Sequence, residues 1–496
     1  MTTMELPKVE VPAFVAGTKG LLIGGQWVAP RSGRTIDAIN PATGETLCRI
    51  GAGDAADVDL AVAAARRAFE GSWSRWTPHE RRKLILRVHD VLMDHFDELA
   101  LIETLDMGAP LARTRPLREW TSQVLQFYAS QTGAATVETP PNSLPGDFLT
   151  LKHKAPVGVV GGVIPWNGPL IGQWWIFGPT LATGCTAVIK PAEDASLSVL
   201  RTAELMLEAG VPEGVINVVT GYGREAGQAL AEHMDVDRVA FTGSYLTAQS
   251  IVRASAGNMK RIQLELGGKS PDIVFADADL DKAVPGAAMG VFTNSGQVCV
   301  AGTRILVHRA IHDEFVERMQ AFTRSIRVGN GLAPDTQLGP LISQRQLDRV
   351  LGYLEVGARE GARLAAGGTR LGGDLASGFF VEPTVFAGVS NDMTIAREEI
   401  FGPVASIIPF GDMDEALRIA NDTPFGLAGG VWTRNLSTAH KVSRAVRAGT
   451  VWVNCYGVLD PSIGFGGHKM SGYGWKGARE HVDSFLYPKA VYMNLD

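Results

Sequence analysis

Val157-Gly158-Val159-Val160-Gly161-Gly162-Val163-Ile164 is an apolar run that stops abruptly at Pro165-Trp166-Asn167. A short β-branched run bounded by turn formers reads as a strand buried on both faces. Behind it the pattern alternates: a helical stretch Pro169 to Thr183, strand-like Thr186 to Ile189, helical Ser196 to Ala209, then Val215 to Val219, Gly223 to Glu232, Arg238 to Phe241, Leu246 to Ala256 and Arg261 to Leu266. Such alternation predicts a parallel, doubly wound α/β sheet. Ligands of such sheets sit beyond the carboxyl ends of the strands. The residues there are Pro165-Trp166-Asn167, Lys190-Pro191-Ala192-Glu193, Thr220-Gly221, Thr242-Gly243-Ser244 and Glu265. A ring, an amide, a lysine, carboxylates and a hydroxyl beside glycine converge on one rim, which favours a nucleotide over ordinary turn chemistry.

Working outward, Leu22-Ile23 before Gly24-Gly25 and Asn40-Pro41-Ala42-Thr43-Gly44 before Glu45 read as a hairpin-rich edge. From Asp54 to Met107, apolar residues recur at helical spacing (Val58, Ala61, Ala65, Phe69; Leu84, Val88, Leu92, Phe96), giving amphipathic helices. The Pro-rich segment Thr136 to Gly146 leads into Asp147 to His153, an extended arm of the kind that joins subunits. Residues 281 to 475 repeat the alternating style, with strands such as Ala405 to Pro409 and helices such as Met413 to Ala420, so a second α/β lobe is expected. Phe485 to Met493 reads as a terminal strand able to pair with the arm or with a neighbour. At 496 residues the chain exceeds a single core.

Composition narrows the function. A formal charge of −6 with scattered Lys and Arg argues against nucleic acid or an anionic membrane as partner. Met1 to Gly20 lacks the apolar core of a signal peptide, so cytoplasm is the expected location. The four cysteines contain no Cys-x-x-Cys pair, so no metal is expected.

A second stretch, Phe292-Thr293-Asn294-Ser295-Gly296-Gln297-Val298-Cys299-Val300-Ala301-Gly302-Thr303-Arg304, sets one cysteine among small and polar residues. A free cysteine is either a small buried hydrophobe or a nucleophile that a ligand can approach. In Arg261 to Leu266 the apolar residues alternate, which puts Glu265 on the opposite face, as a solvated acid or as a base in a dry cavity. Asn167 is a turn residue or an oxyanion donor, and Ser244 a helix cap or a pyrophosphate ligand. Glu193 is a helix-start acid or an acceptor for ribose hydroxyls that would repel a 2′-phosphate. Gly221 to Gly227 only approximates a dinucleotide fingerprint, and turn glycines explain it.

Together, Pro165-Trp166-Asn167-x-Pro169, Lys190-Pro-Ala-Glu193, Phe241-Thr-Gly-Ser244, Leu264-Glu265-Leu-Gly-Gly-Lys269, Gly296-Gln-Val-Cys299, Glu398-Glu399-Ile-Phe401-Gly402-Pro403 and Asn421-Asp-Thr-Pro-Phe-Gly426 resemble the aldehyde dehydrogenase superfamily. The resemblance implies a Rossmann-like parallel-sheet NAD-binding domain (1–133 and 154–264), a second α/β catalytic domain (265–475) and a small β oligomerisation arm (134–153 and 476–496) of a homodimer or homotetramer. It implies Cys299 as nucleophile, Asn167 and the Cys299 N–H as oxyanion donors, and Glu265 as the base for deacylation. Lys190 and Glu193 would hold the adenosine ribose, Ser244 and Trp166 the pyrophosphate, and Glu399 and Phe401 the nicotinamide side. Ile164, Pro165, Gly223, Phe241, Gly243 and Leu266 complete the cofactor set, with NAD preferred over NADP.

Ile176 stands where many members carry a lysine proposed to relay protons. Gly168, Gly172, Trp175, Val298, Val300, Leu459 and Phe465 are expected to wall a roomy apolar pocket for a bulky or aromatic small-molecule aldehyde. A cofactor-free thiol esterase or hydrolase and a non-catalytic homologue on the same fold are the alternatives.

Overall fold

The computed structural model describes residues 10–496, so the first nine positions of the expected 1–133 segment lie outside the described residues. A turn at Gly24-Gly25 folds β1 (Leu21–Ile23) onto β2 (Gln26–Val28), and a second hairpin pairs Thr35–Ile39 with Thr46–Gly51. Amphipathic helices α1 (Ala55–Glu70), α2 (Pro78–Asp94), α3 (Phe96–Met107) and α4 (Leu117–Ser130) follow. Thr77 and Glu80 form a reciprocal capping box around Pro78, which fixes where α2 begins.

After the arm strand β3 (Phe148–Pro156) come β4 (Val159–Ile164), β5 (Thr186–Pro191), β6 (Ile216–Val218), β7 (Arg238–Gly243) and β8 (Arg261–Leu266), with helices α5 (Trp174–Thr183), α6 (Leu197–Glu208) and α7 (Tyr245–Ser255) between them. The second lobe contributes β9 (Pro271–Val274), helix α8 (Leu280–Phe292), β10 (Arg304–His308), β11 (Arg363–Ala366), β12 (Thr384–Ala387), β13 (Val404–Phe410), β14 (Ala428–Trp432) and β15 (Thr450–Val453). The chain then returns through β16 (Gly472–Tyr473), helix α9 (Ala478–Asp483) and β17 (Leu486–Asn494).

The first sheet runs β16-β8-β7-β4-β5-β6-β1-β2, with β4 to β8 mutually parallel and β16 and β1 antiparallel to their neighbours. The second runs β11-β12-β13-β10-β9-β14-β15 and is parallel apart from β11. Both sheets are clad by helices, as parallel sheets require. Successive strand residues enter opposite cores of the first sheet. Val159, Val188 and Val239 meet α1 and α7, while Val160, Ala187 and Ala240 meet α2 to α6.

The tail divides differently from the expected arm 476–496. Val482 and Phe485 sit in the first core with no measurable exposure. His481 Nδ1 lies 2.8 Å from Tyr128 Oη, and the Arg238 guanidinium covers the Phe485 ring at 4.5 Å. A six-residue helix is too short for its period to declare itself in sequence, which is why this segment reads as part of the arm. Only β17 forms arm structure, pairing antiparallel with β3 from Leu486↔Pro156 to Asn494↔Phe148. Phe485→Ala should therefore destabilise the first lobe by about 3–5 kcal/mol. A fall in the thermal unfolding midpoint is the expected readout, and an unchanged midpoint would leave Phe485 with no part in that core.

Candidate active site

Strand β4 is the centre from which the first sheet builds both ways, β5 and β6 on one side and β7 and β8 on the other, so a crevice opens at its carboxyl end. Asn167 lies there and the second lobe supplies the facing loop. In that loop Asn294, Ser295 and Gly296 are all left-handed (φ 57°, 56° and 71°). Side-chain anchors hold the unfavourable turn. Arg113 Nη1 donates to Asn294 Oδ1 (2.9 Å), Asn294 Nδ2 donates to the Asn167 carbonyl (2.9 Å), and Ser295 Oγ donates to Gly339 O (2.7 Å). A Cβ on Gly296 would overlap the Gly402 carbonyl, so only glycine closes the turn.

The turn delivers Cys299, half-buried, against Val298, Val300, Phe465, Trp452 and Tyr456. Asn167 Nδ2 donates to Gln297 O at 2.8 Å, two residues before the cysteine. That bond occupies one amide hydrogen and leaves the other for a ligand. Burial, and after it the Glu265 charge, push the Cys299 thiol up to about 12, with the Lys476 charge opposing.

Glu265 ends β8 on the face away from Leu264 and Leu266, as the alternation predicts, yet it is not solvated: it is 2 % exposed and its Oε1 has no hydrogen-bond partner. Burial raises its carboxyl to about 7 against the Lys476 charge. Lys476 is a residue the sequence reading missed. Its Nζ donates to Thr242 Oγ1 (2.9 Å), and burial lowers its pKa while Glu265 and Cys299 oppose the shift. Lysine is so regularly exposed that nothing in Trp475-Lys476-Gly477 signals burial.

At the end of β5, Lys190 is 3 % exposed and its Nζ sits 2.7 Å from Glu193 Oε2. Burial raises the Glu193 carboxyl, but the Lys190 charge and hydrogen bonds that include the Gly223 N–H outweigh it and the pKa falls. Ser244 caps α7, its Oγ accepting from Thr247 N–H (3.2 Å). Phe241 is buried beneath Gly243, and with Leu266 it belongs to the core, so both support the rim by packing. Ile164 and Pro165 line a small cavity behind the rim together with Gly172 and Trp175. Glu399 Oε1 accepts from Gly268 N–H (3.1 Å), and the missing side chain of Gly267 makes room for its carboxylate. Burial pushes that carboxyl up to about 7, while the Gly268 hydrogen bond and the Lys269 charge oppose it. Phe401, left-handed at φ 61°, meets Trp166 edge to face at 5.2 Å, closing the crevice from the second lobe.

Among the expected pocket residues, Val298, Val300 and Phe465 gather around Cys299. A Cβ on Gly168 would meet open space. Trp175 stacks edge to face on Trp120 at 5.5 Å, and Leu459 is exposed at the rim. Trp452 and Tyr456 were not foreseen. Tyr456 Oη donates to Val300 O (2.7 Å) and thereby ties the cysteine loop to the strand region after β15.

A family model described as "Aldehyde dehydrogenase family" matches residues 27–491. "Aldehyde dehydrogenase 1" of Tanacetum cinerariifolium is 44 % identical over 95 % of this chain and 94 % of its own. "Benzaldehyde dehydrogenase, mitochondrial" of Antirrhinum majus is 44 % identical over 95 % of this chain and 88 % of its own. The NAD+ complex of aldehyde dehydrogenase from Bacillus cereus superposes with a TM-score of 0.95 at 43 % identity, covering 98 % of both chains. The chain belongs to the aldehyde dehydrogenase family of NAD(P)-dependent enzymes that oxidise aldehydes.

Proposed function

We propose that this enzyme converts an aldehyde to the free carboxylic acid through a covalent bond to Cys299, with NAD as the preferred cofactor. The observation that carries the reading is Glu265: a dry carboxylate with one unpartnered oxygen and a pKa near 7, close enough to Cys299 for its charge to act on the thiol. Cys299 sulfur bonds to the carbonyl carbon after its proton is lost to water, and the oxyanion is held by the free Asn167 N–H and the Cys299 N–H. When bound, NAD supplies the hydride acceptor that turns this adduct into a thioester. Glu265 then takes a proton from water as the water oxygen bonds to the acyl carbon, and the C–S bond breaks to release the acid and the thiolate. A thiol hydrolase would leave the Lys190–Glu193 pair and the Glu399 seat without a purpose.

The residues present fit NAD. The capped amino end of α7 offers free N–H groups for a pyrophosphate. Glu193, held by Lys190, presents a carboxylate suited to ribose hydroxyls and hostile to a 2′-phosphate. The open space at Gly168 and the aromatic wall of Phe465 and Trp452 suit a bulky or aromatic aldehyde. The benzaldehyde dehydrogenase relative lends support. A homodimer or homotetramer also fits, because β17 leaves a long strand edge unpaired with Tyr492 and Met493 exposed on it. Cytoplasmic residence suits four free cysteines.

NADH formation across aliphatic and aromatic aldehydes, with either cofactor, tests the reading. Benzaldehyde-type substrates should give the higher kcat/KM, and equal values for acetaldehyde would remove the bulky-substrate part. Glu193→Gln should raise NADP use relative to NAD by roughly tenfold, equivalent to about 1.4 kcal/mol; an unchanged ratio would take cofactor choice away from Glu193. Cys299→Ala should abolish oxidation while NAD still quenches tryptophan fluorescence. Glu265→Gln should release about one NADH per site and then stall, and unchanged steady turnover would deny Glu265 the role of base.

A further inference from the structure

Lys476 is a cation built into the interior: it is 8 % exposed, and its backbone is clamped to Phe465 by two hydrogen bonds, Phe465 N–H to Lys476 O (2.8 Å) and Lys476 N–H to Phe465 O (2.7 Å). The clamp aims its side chain at Thr242, whose Oγ1 accepts from Nζ at 2.9 Å. Thr242 stands directly beside Glu265 in the parallel register of β7 and β8. Residues in register point to the same face, so ammonium and carboxylate share one side of the sheet while Glu265 Oε1 stays unpartnered. Lys476 also lines the small cavity walled by Gly172, Trp175, Ile176 and Thr242, and it is the one cation among that cavity's described residues.

Resting on the reading of Glu265 as the deacylation base, we propose that Lys476 is its positioning residue: the fixed counter-charge that keeps Glu265 ionised when water is to be activated, on a side of the sheet where Ile176 presents only hydrocarbon. A nearby opposite charge lowers a carboxyl pKa by about 1–3 units. Without it Glu265 keeps the full effect of burial and holds its proton to higher pH. The deacylation rate then rises with pH along a limb displaced upward. The groups facing this pair are few. Glu265 and Cys299 face Lys476, Glu399 acts on Cys299, and His481 of α9 faces Lys476 but is held neutral by burial, with Arg238 adding to that shift. Glu399 answers to the Gly268 N–H, Lys269 and Arg349 instead, so its titration should not follow Lys476.

The test measures NADH formation by the full-length enzyme and its Lys476→Met, Lys476→Arg and Glu265→Gln variants from about pH 5.5 to about pH 9.5. Lys476→Met should keep a burst of about one NADH per site, lose about fivefold in steady rate near pH 7, and return to within about twofold of the parent near pH 9, because its limb has moved up by about one unit. Lys476→Arg, which keeps the charge, should keep the parental limb. Burst amplitude counts correctly folded sites, so a folding defect is read separately. A Lys476→Met limb that does not move, or a rate loss that alkaline pH does not restore, would overturn the proposal. If Glu265→Gln stalls while that limb stays put, only the role of Lys476 falls. If Glu265→Gln turns over normally, the base reading falls and takes the proposal with it.

Discussion

The left-handed turn Asn294-Ser295-Gly296 is the constraint on which the site depends. For a residue with a Cβ this conformation costs about 1–2 kcal/mol, so the turn persists only because its surroundings over-determine it. The anchors come from both lobes: Arg113 and Asn167 from the first, Gly339 from the second. Gln297 adds another, its Oε1 accepting from Ile342 N–H at 3.0 Å. The same bonds that shape the loop also fasten the lobes together. The position of Cys299 and the width of the crevice are thus set by one network, and the amide of Asn167 is oriented by it as well.

Dryness does the electrostatic work around that network. Glu265, Glu399 and Lys269 are all pushed by burial toward pKa values of about 7, the carboxyls upward and the lysine downward. A base near neutrality combines a large unprotonated fraction with useful strength. The same desolvation makes the Cys299 thiol reluctant to ionise.

Much of this could be read from residue order alone, for physical reasons. Strands β4 to β7 announce themselves because burial on both faces demands apolar runs, and the rim residues follow from where those runs end. The alternation in Arg261 to Leu266 put Glu265 on its own face, but its lack of solvent depends on a lobe that is distant in sequence. Phe241 and Leu266, expected at the cofactor, pack in the buried cluster beneath the rim. Asn294 and Lys476 went unassigned because their roles exist only through partners far along the chain, Arg113 and Thr242. The helix Ala478–Asp483 was hidden by its brevity.

The route of the chain through the first lobe also bears on synthesis. Edge strand β16 pairs with β8, and Phe485 fills the core beneath α4 and α5, yet both follow the entire second lobe in sequence. A ribosome therefore releases the second lobe's strands before the first lobe has its last edge and its last core side chain. Contacts of such long sequence separation are slow to form because loop closure must precede them. The first lobe, although mostly made first, is completed only after the second, and its unfinished apolar face stays exposed in that interval, when a chaperone would be most useful.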